Sequence, residues 1–331
     1  MLLIRWVILI LPVVLQPILP VRFPWILLLS SFLATSCSTG WHDEKTSGAE
    51  NADSVTVRVE LGKRLFFDRR LSRDLSLSCS SCHKPELAFT DTLPKSKGFG
   101  GRVFLRNAPS LLNVSQYRNF FADGGAPTLE TQALQPIQDD HEMNMPLDQL
   151  AYRLAKDGDY EPLFRKAFNR SVDEFGITHA LAAYERSLVS QGSIYDAFLQ
   201  SGDSSLLSGS QRNGLQLFFG KAKCGSCHNG KWLSDLEFYD VKTGSKEDLG
   251  RERITLRPAD RGKFKTPVLR NLTLTAPYMH DGSIPDLTGV IRYFNRMDRL
   301  NLSENEVIEL RSFLESLTDT VYRNTPNFAR Q

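Results

Sequence analysis

Apolar positions along much of the chain recur at helical spacing. Leu147, Leu150, Ala151 and Leu154 form one set, Tyr160, Leu163, Phe164 and Ala167 a second, and Ile177, Ala180, Leu181, Tyr184 and Leu188 a third. Near the C-terminus Val307, Leu310, Leu314 and Leu317 repeat the pattern. Each set lays one apolar stripe along a helix, to be buried against a neighbour. No long stretch alternates apolar and polar residues as a half-exposed strand does, so the predicted fold class is all-α. Two further segments resemble each other: Gly62 to Phe67 reads GKRLFF and Gly214 to Phe219 reads GLQLFF, and each precedes a C-x-x-C-H. An internal duplication accounts for the pair.

The pattern also sets the domain plan. Residues 1–36 carry only two charges, Arg5 and Arg22, in an apolar run that ends in small residues before Cys37. This reads as an export signal rather than a membrane span, because Pro12, Pro17, Pro20 and Pro24 interrupt the run. Cys37 is the odd cysteine of five and sits where cleavage leaves it as the new N-terminus. Lipid attachment there tethers the chain to a bacterial membrane, with more than one acyl group needed for stable anchoring. Residues 37–55 are small and polar and read as a linker. Two domains follow, 56–203 and 204–331, divided in the Gly- and Ser-rich stretch Gln200 to Ser210.

Charge excludes more than it suggests. Forty Lys and Arg against 38 Asp and Glu give a net charge of +2, and no basic cluster points to nucleic acid.

The chemistry lies in "CSSCH" (Cys79, Cys82, His83) and "CGSCH" (Cys224, Cys227, His228). Three readings compete. A zinc site normally brings its second cysteine pair close behind the first, and the histidines would be unexplained. A redox disulfide belongs on a βαβ background, absent here, and has no need of a histidine directly after the second cysteine. Covalent c-type haem uses every position: two thiols bond the porphyrin edge, and the following histidine is delivered to the iron. Two such haems make His83 and His228 proximal ligands. Remaining candidates for the opposite faces are His141, His179, His280, Met143, Met145, Met279 and Met297; His179, among apolar helical neighbours, reads as structural.

The segments "LGKRLFFDRRLSRDLSLSCSSCH", "RNAPSLLNV", "LFFGKAKCGSCHNG" and "TPVLRNLTLTAPYMHDGS" resemble the bacterial di-haem cytochrome c peroxidases and the related MauG-type enzymes, over about Val59 to Asp319. The resemblance implies two cytochrome c-like domains facing each other. Hydrogen peroxide would meet the N-terminal haem, and electrons from a small cytochrome c or cupredoxin would enter at the C-terminal one. It further implies an exported, periplasmic protein, a bridging calcium ion, and pairing of two copies as a homodimer. Gln132 and Glu142, ten residues apart, match the distal glutamine and glutamate. Such a carboxylate can move a proton between peroxide oxygens, while the amide orients the peroxide. Asn107 by its side chain, with the backbone carbonyls of Thr275 and Pro277, matches the calcium ligands, hard oxygen donors of the kind calcium takes.

Three departures modify these expectations. Phe99 stands where the peroxidases carry a histidine that caps the N-terminal iron, so that face is expected open without reductive activation. Ala122 stands where the family has a tryptophan between the haems; Tyr117, Phe120 and Phe121 lie nearby in sequence. Phe294 occupies the place of the C-terminal distal ligand. Met297 lies on the same helical face, and the adjacent Tyr293 points about 100° away, so Met297 ranks before Tyr293 as the replacement. The leading function is a di-haem peroxidase reducing peroxide to water. Two others stand beside it: a MauG-type oxidase that modifies a partner protein's side chains, and a non-enzymatic electron carrier or sensor.

Overall fold

In the computed structural model, residues 52–320 and 322 are described; the expected signal segment, the lipid site at Cys37 and most of the linker lie outside them. The fold is all-α. Ten helices follow in order: α1 (Ala52–Phe66), α2 (Leu129–Gln138), α3 (Leu147–Ala155), α4 (Tyr160–Phe168), α5 (Glu174–Ser187), α6 (Ile194–Ser201), α7 (Gly209–Phe219), the single turn α8 (Glu252–Thr255), α9 (Leu287–Met297) and α10 (Glu304–Glu315). The four periodic sets fall on α3, α4, α5 and α10. Helix α1 begins within the expected linker and takes in Ala52 to Val55. Among the described residues the only sheet is a two-residue antiparallel pair, β1 (Phe238–Tyr239) against β2 (Phe264–Lys265).

Apolar side chains gather chiefly into two cores. The first joins α1, α3, α4 and α5 through Leu65, Phe66, Leu150, Phe164 and Ile177. The second joins α7, α9 and α10 through Phe218, Ile291, Leu310 and Phe313. Helix α6, on the N-terminal side of the expected boundary, sends Tyr195 and Phe198 into the second core, whereas Tyr322 near the C-terminus packs into the first. The chain therefore crosses between cores at both places.

The GxxLFF repeat has a packing cause. A Cβ built on Gly62 would lie 1.8 Å from the Ala180 carbonyl oxygen of α5, and one on Gly214 would lie 2.0 Å from that of Glu309 on α10. Each glycine thus lets two helix backbones touch. One turn further on, Phe66 meets Tyr184 edge to face with centroids 5.1 Å apart, and Phe218 meets Phe313 at 5.2 Å. Such pairs add to the area they bury.

A longer repeat follows each C-x-x-C-H. Residues 106–129 and 264–287 share one register: Asn113 matches Asn271, Phe120 matches Tyr278, and Thr128 and Asp286 cap α2 and α9. Both asparagines adopt left-handed backbone (φ 59° and 63°), which that side chain tolerates. Asn113 N–H donates to the Leu188 carbonyl after α5 (2.7 Å), and Asn271 N–H to the Leu317 carbonyl after α10 (3.1 Å). A buried chain links the two: Ser190 N–H donates to Asn113 Oδ1 (2.9 Å), Asn271 Nδ2 to Ser190 Oγ (2.9 Å), and Ser190 Oγ to Asp319 Oδ2 (2.6 Å). The repeats also exchange backbone bonds. Asn107 N–H reaches the His280 carbonyl (2.8 Å), and its counterpart Lys265 N–H reaches that of Ala122 (2.7 Å), the counterpart of His280.

Gly62→Val and Gly214→Val each force a helix pair apart, and each is expected to lower stability by about 3 kcal/mol or more, read by thermal denaturation of the mature protein. Unchanged stability, or a gain of up to about 1 kcal/mol such as an exposed helical glycine gives when a better helix former replaces it, would show that the crossing is not close.

Candidate functional site

Both C-x-x-C-H motifs fold alike. Cys79–Ser81 and Cys224–Ser226 each form one 3-10 turn, and His83 N–H and His228 N–H close it onto the Cys79 and Cys224 carbonyls at 2.9 Å. His83 Nδ1 lies 2.9 Å from the Phe89 carbonyl, and His228 Nδ1 lies 2.9 Å from that of Leu233. A carbonyl only accepts, so Nδ1 carries the proton and Nε2 keeps a lone pair. The carbonyls of Pro109 and Pro267, equivalent in the repeat, also face these rings. Desolvation lowers both pKa values, which holds the imidazoles neutral. Oriented neutral imidazoles of this kind are metal ligands by chemistry.

The thiols argue against the competing readings. Burial pushes Cys79 up strongly, Cys82 to about 11 and Cys224 to about 12. Redox-active cysteines are instead those with lowered pKa. Among the described residues no three His, Cys, Asp or Glu side chains gather where they could hold a metal ion, so the two cysteine pairs do not combine into a tetrahedral site. Two partly exposed thiols beside a fixed imidazole, twice over, fit a covalently attached porphyrin whose iron takes one protein nitrogen.

The two expected distal residues sit on and just after α2. Gln132 Oε1 is buried without a protein partner, an amide oxygen held for something other than the fold. Glu142 follows in the turn, its N–H on the Asp139 carbonyl (3.1 Å). Burial, with Asp139 adding repulsion, pushes its carboxyl up to about 7. Its charge also raises the Cys79 and Cys82 thiols, so it lies in the neighbourhood of the first C-x-x-C-H. The loop with Phe99 closes on the same turn: Phe99 N–H donates to the Glu142 carbonyl at 2.7 Å. Sequence reasoning missed a second carboxyl, the buried Glu185 on α5, which also raises Cys79 and stands at about 8 through desolvation.

At the second motif the expected ligands lie on α9. Tyr293 donates its hydroxyl to the Val241 carbonyl (2.6 Å), Phe294 is half-buried beside it, and Met297, the last helical residue, is exposed. Of the other imidazoles and thioethers, Met143 and Met145 are core, His141 is exposed beside Asp140, and His179 stacks on Phe175. His280 stacks on Phe264 with centroids 3.5 Å apart.

The first repeat meets residues 248–253, which precede the second, around a fully buried carboxylate, Asp123. Arg106 Nη1 (2.8 Å) and Arg253 Nη2 (2.7 Å) both donate to it, and Arg106 also grips Asp248 with two bonds of 2.7 Å. Asn107, next to Arg106, gives its Nδ2 to the Leu93 carbonyl (2.8 Å), which leaves Oδ1 outside that bond. No described donor reaches the carbonyls of Thr275 or Pro277, five and three residues before the His280 whose carbonyl Asn107 N–H binds. One amide oxygen and two uncommitted carbonyls are a donor set that fits a hard cation.

A family model, "Di-haem cytochrome c peroxidase", matches residues 56–204. The Methylorubrum extorquens "Methylamine utilization protein MauG" is 39% identical over 276 residues, 78% of each chain. The Nitrosomonas europaea "Cytochrome c551 peroxidase" is 36% identical over 282 residues, 81% of each. The chain belongs to the di-haem cytochrome c peroxidase family. It is, by that membership, an oxidoreductase of peroxidase type with two haems as cofactors. Among solved structures, a MauG-like protein associated with microbial copper homeostasis superposes with a TM-score of 0.74 at 32% identity, covering 82% of this chain and 92% of the other. The diheme peroxidase BthA from Burkholderia thailandensis shares the fold with a TM-score of 0.70 at 24% identity.

Proposed function

We propose that this di-haem enzyme reduces hydrogen peroxide to water at an N-terminal haem held by Cys79, Cys82 and His83, with electrons entering from a small redox protein at a haem held by Cys224, Cys227 and His228. The two haems would belong to two cytochrome c-like domains facing each other, in an exported protein of the periplasm tethered through Cys37. The observation that carries the reading is Glu142, a half-buried carboxyl with a pKa near neutrality whose charge is felt at both thiols of the first motif, together with the unpartnered Gln132 Oε1 on α2.

Bound haem supplies the iron that accepts peroxide and the electrons that break its O–O bond. The chain moves protons between the peroxide oxygens, and the two protons that the reduction to water consumes would come from solvent. Glu142 takes a proton from the near oxygen and returns it to the departing one, work suited to a group titrating near the working pH. Gln132, its Oε1 uncommitted, orients the peroxide. Phe99 cannot ligate iron, and its loop is fixed to the Glu142 turn through a backbone bond, so nothing in that loop caps the N-terminal face. Calcium would lie on Asn107, Thr275 and Pro277. At the second haem, Met297 is the first candidate for the distal face and Tyr293, whose hydroxyl is already engaged, the second.

Phe99 also favours a second reading, a MauG-type oxidase that uses peroxide at the same iron to modify a partner protein. The two differ in what peroxide oxidises. Rapid mixing of peroxide with the enzyme and a reduced small cytochrome or cupredoxin is expected to oxidise that donor catalytically; peroxide consumed with covalent change in a partner protein, and no donor turnover, selects the second reading.

Two further outcomes follow from the side chains. Because Glu142 must be ionised to accept a proton, kcat/KM for peroxide is expected to rise as pH passes upward through about 7. Glu142→Gln should flatten that limb and lower kcat/KM by about 10²- to 10⁴-fold, and an unchanged profile removes Glu142 from the reaction. Electron paramagnetic resonance of the ferric protein should show one high-spin iron, converted toward low spin by Phe99→His. Two low-spin irons in the unaltered protein would contradict an open N-terminal face.

A further inference from the structure

The shared register of residues 106–129 and 264–287 pairs the proposed calcium ligands with a second set. Asn107 corresponds to Lys265, Thr275 to Tyr117, and Pro277 to Asn119. The backbones on the two sides are held the same way, by the reciprocal bonds from Asn107 to His280 and from Lys265 to Ala122. The side chains differ in one respect. On the first side an amide oxygen and two carbonyls are uncommitted. On the second, Lys265 Nζ donates to the Asn119 carbonyl, the counterpart of the Pro277 carbonyl, and lies 4.1 Å from the centroid of the Tyr117 ring. Tyr117 is itself fixed, its hydroxyl accepting from Val268 N–H at 3.0 Å.

We propose that these are two pseudo-equivalent cation sites, one on each side of the contact between the repeats, and that the ammonium of Lys265 is the resident cation of the second. An ammonium on a carbonyl and an aromatic face is held by the same charge–dipole and charge–quadrupole attraction that holds a metal ion on oxygen donors. Desolvation lowers the Lys265 pKa to about 8, the cost of placing a cation there, and the buried Asp123 opposes that shift. Being covalently tethered, this cation cannot be chelated. It fixes residues 117–122, the segment that ends at Ala122, whatever the metal concentration, whereas residues 275–280, ending at His280, depend on a dissociable ion. Lys265 is thus a positioning residue for the segment that stands where relatives of this kind carry their inter-haem tryptophan. The comparison rests on the reading of Asn107, Thr275 and Pro277 as calcium ligands; the role of Lys265 at residues 117–122 has its own observations.

The test is backbone hydrogen exchange of the holoenzyme by mass spectrometry, with calcium or with a chelator, together with bound calcium per chain. In the unaltered protein the chelator should speed exchange at 275–282 by at least about tenfold and leave 117–124 unchanged. Lys265→Met should speed exchange at 117–124 by a similar factor with calcium present, without speeding it at 275–282. Lys265→Asn, which copies the first site onto the second, should bind one more calcium than the unaltered protein, and calcium should restore protection at 117–124. Unaltered exchange at 117–124 in Lys265→Met, or no added calcium in Lys265→Asn, overturns the proposal. Lack of any chelator response in the unaltered protein, with Asn107→Ala binding as much calcium as before, would instead sink the calcium reading and with it the pairing, while the Lys265→Met arm still decides what holds residues 117–122.

Discussion

Two helix crossings made without side chains between them set up the rest of the molecule. Gly62 lets α1 lie on α5, and Gly214 lets α7 lie on α10, each so close that a single added carbon would fall within 2.0 Å of a carbonyl oxygen. The C-x-x-C-H turn comes next after the first helix of each pair, across residues 67–78 in one half and 220–223 in the other, and the asparagine of the longer repeat grips the chain just past the second. The crossing therefore fixes both ends of the segment that must surround a flat prosthetic group. The same argument applied twice explains why the halves resemble one another in these places and diverge between them.

On that frame the imidazoles are aimed rather than merely present. A carbonyl takes the Nδ1 proton of His83 and another that of His228, and the carbonyls of Pro109 and Pro267 face the same rings. The asymmetry between the halves lies in what stands near these motifs. Near the first are the half-buried carboxyl of Glu142 and the buried one of Glu185, both titrating well above the ordinary carboxylate range. Among the described residues no such pair of raised carboxyls accompanies the second, for which the expected ligands are Tyr293, Phe294 and Met297 of α9. Peroxide chemistry needs protons moved and electron entry does not, which is why the first motif is assigned the reaction.

How much of this the chain revealed beforehand follows from what each signal is made of. Helical stripes such as Leu147 to Leu154 were legible because burial imposes a period on residue type, and the two C-x-x-C-H motifs because covalent chemistry dictates every position. The domain boundary was harder: α6 lies on the N-terminal side of the expected division at 203/204, yet Tyr195 and Phe198 pack into the second core. Asp123, Glu185 and Lys265 escaped attention for a different reason. A buried charge leaves no mark in a local window, since what neutralises Asp123 is Arg106 from its own repeat and Arg253 from far along the chain. Only alignment of RNAPSLLN on FKTPVLRN, which the two left-handed asparagines justify, could have set Lys265 opposite Asn107.

The account stands on porphyrin iron bonded to the polypeptide at both C-x-x-C-H motifs. Intact-mass measurement of the protein, matured in a bacterium able to attach c-type haem, tests this most directly. Two haem masses above the processed chain are expected, falling to one when Cys79 and Cys82 are both replaced by alanine and likewise for Cys224 and Cys227. A mass equal to the polypeptide alone would contradict the assignment of both motifs and every step built on them.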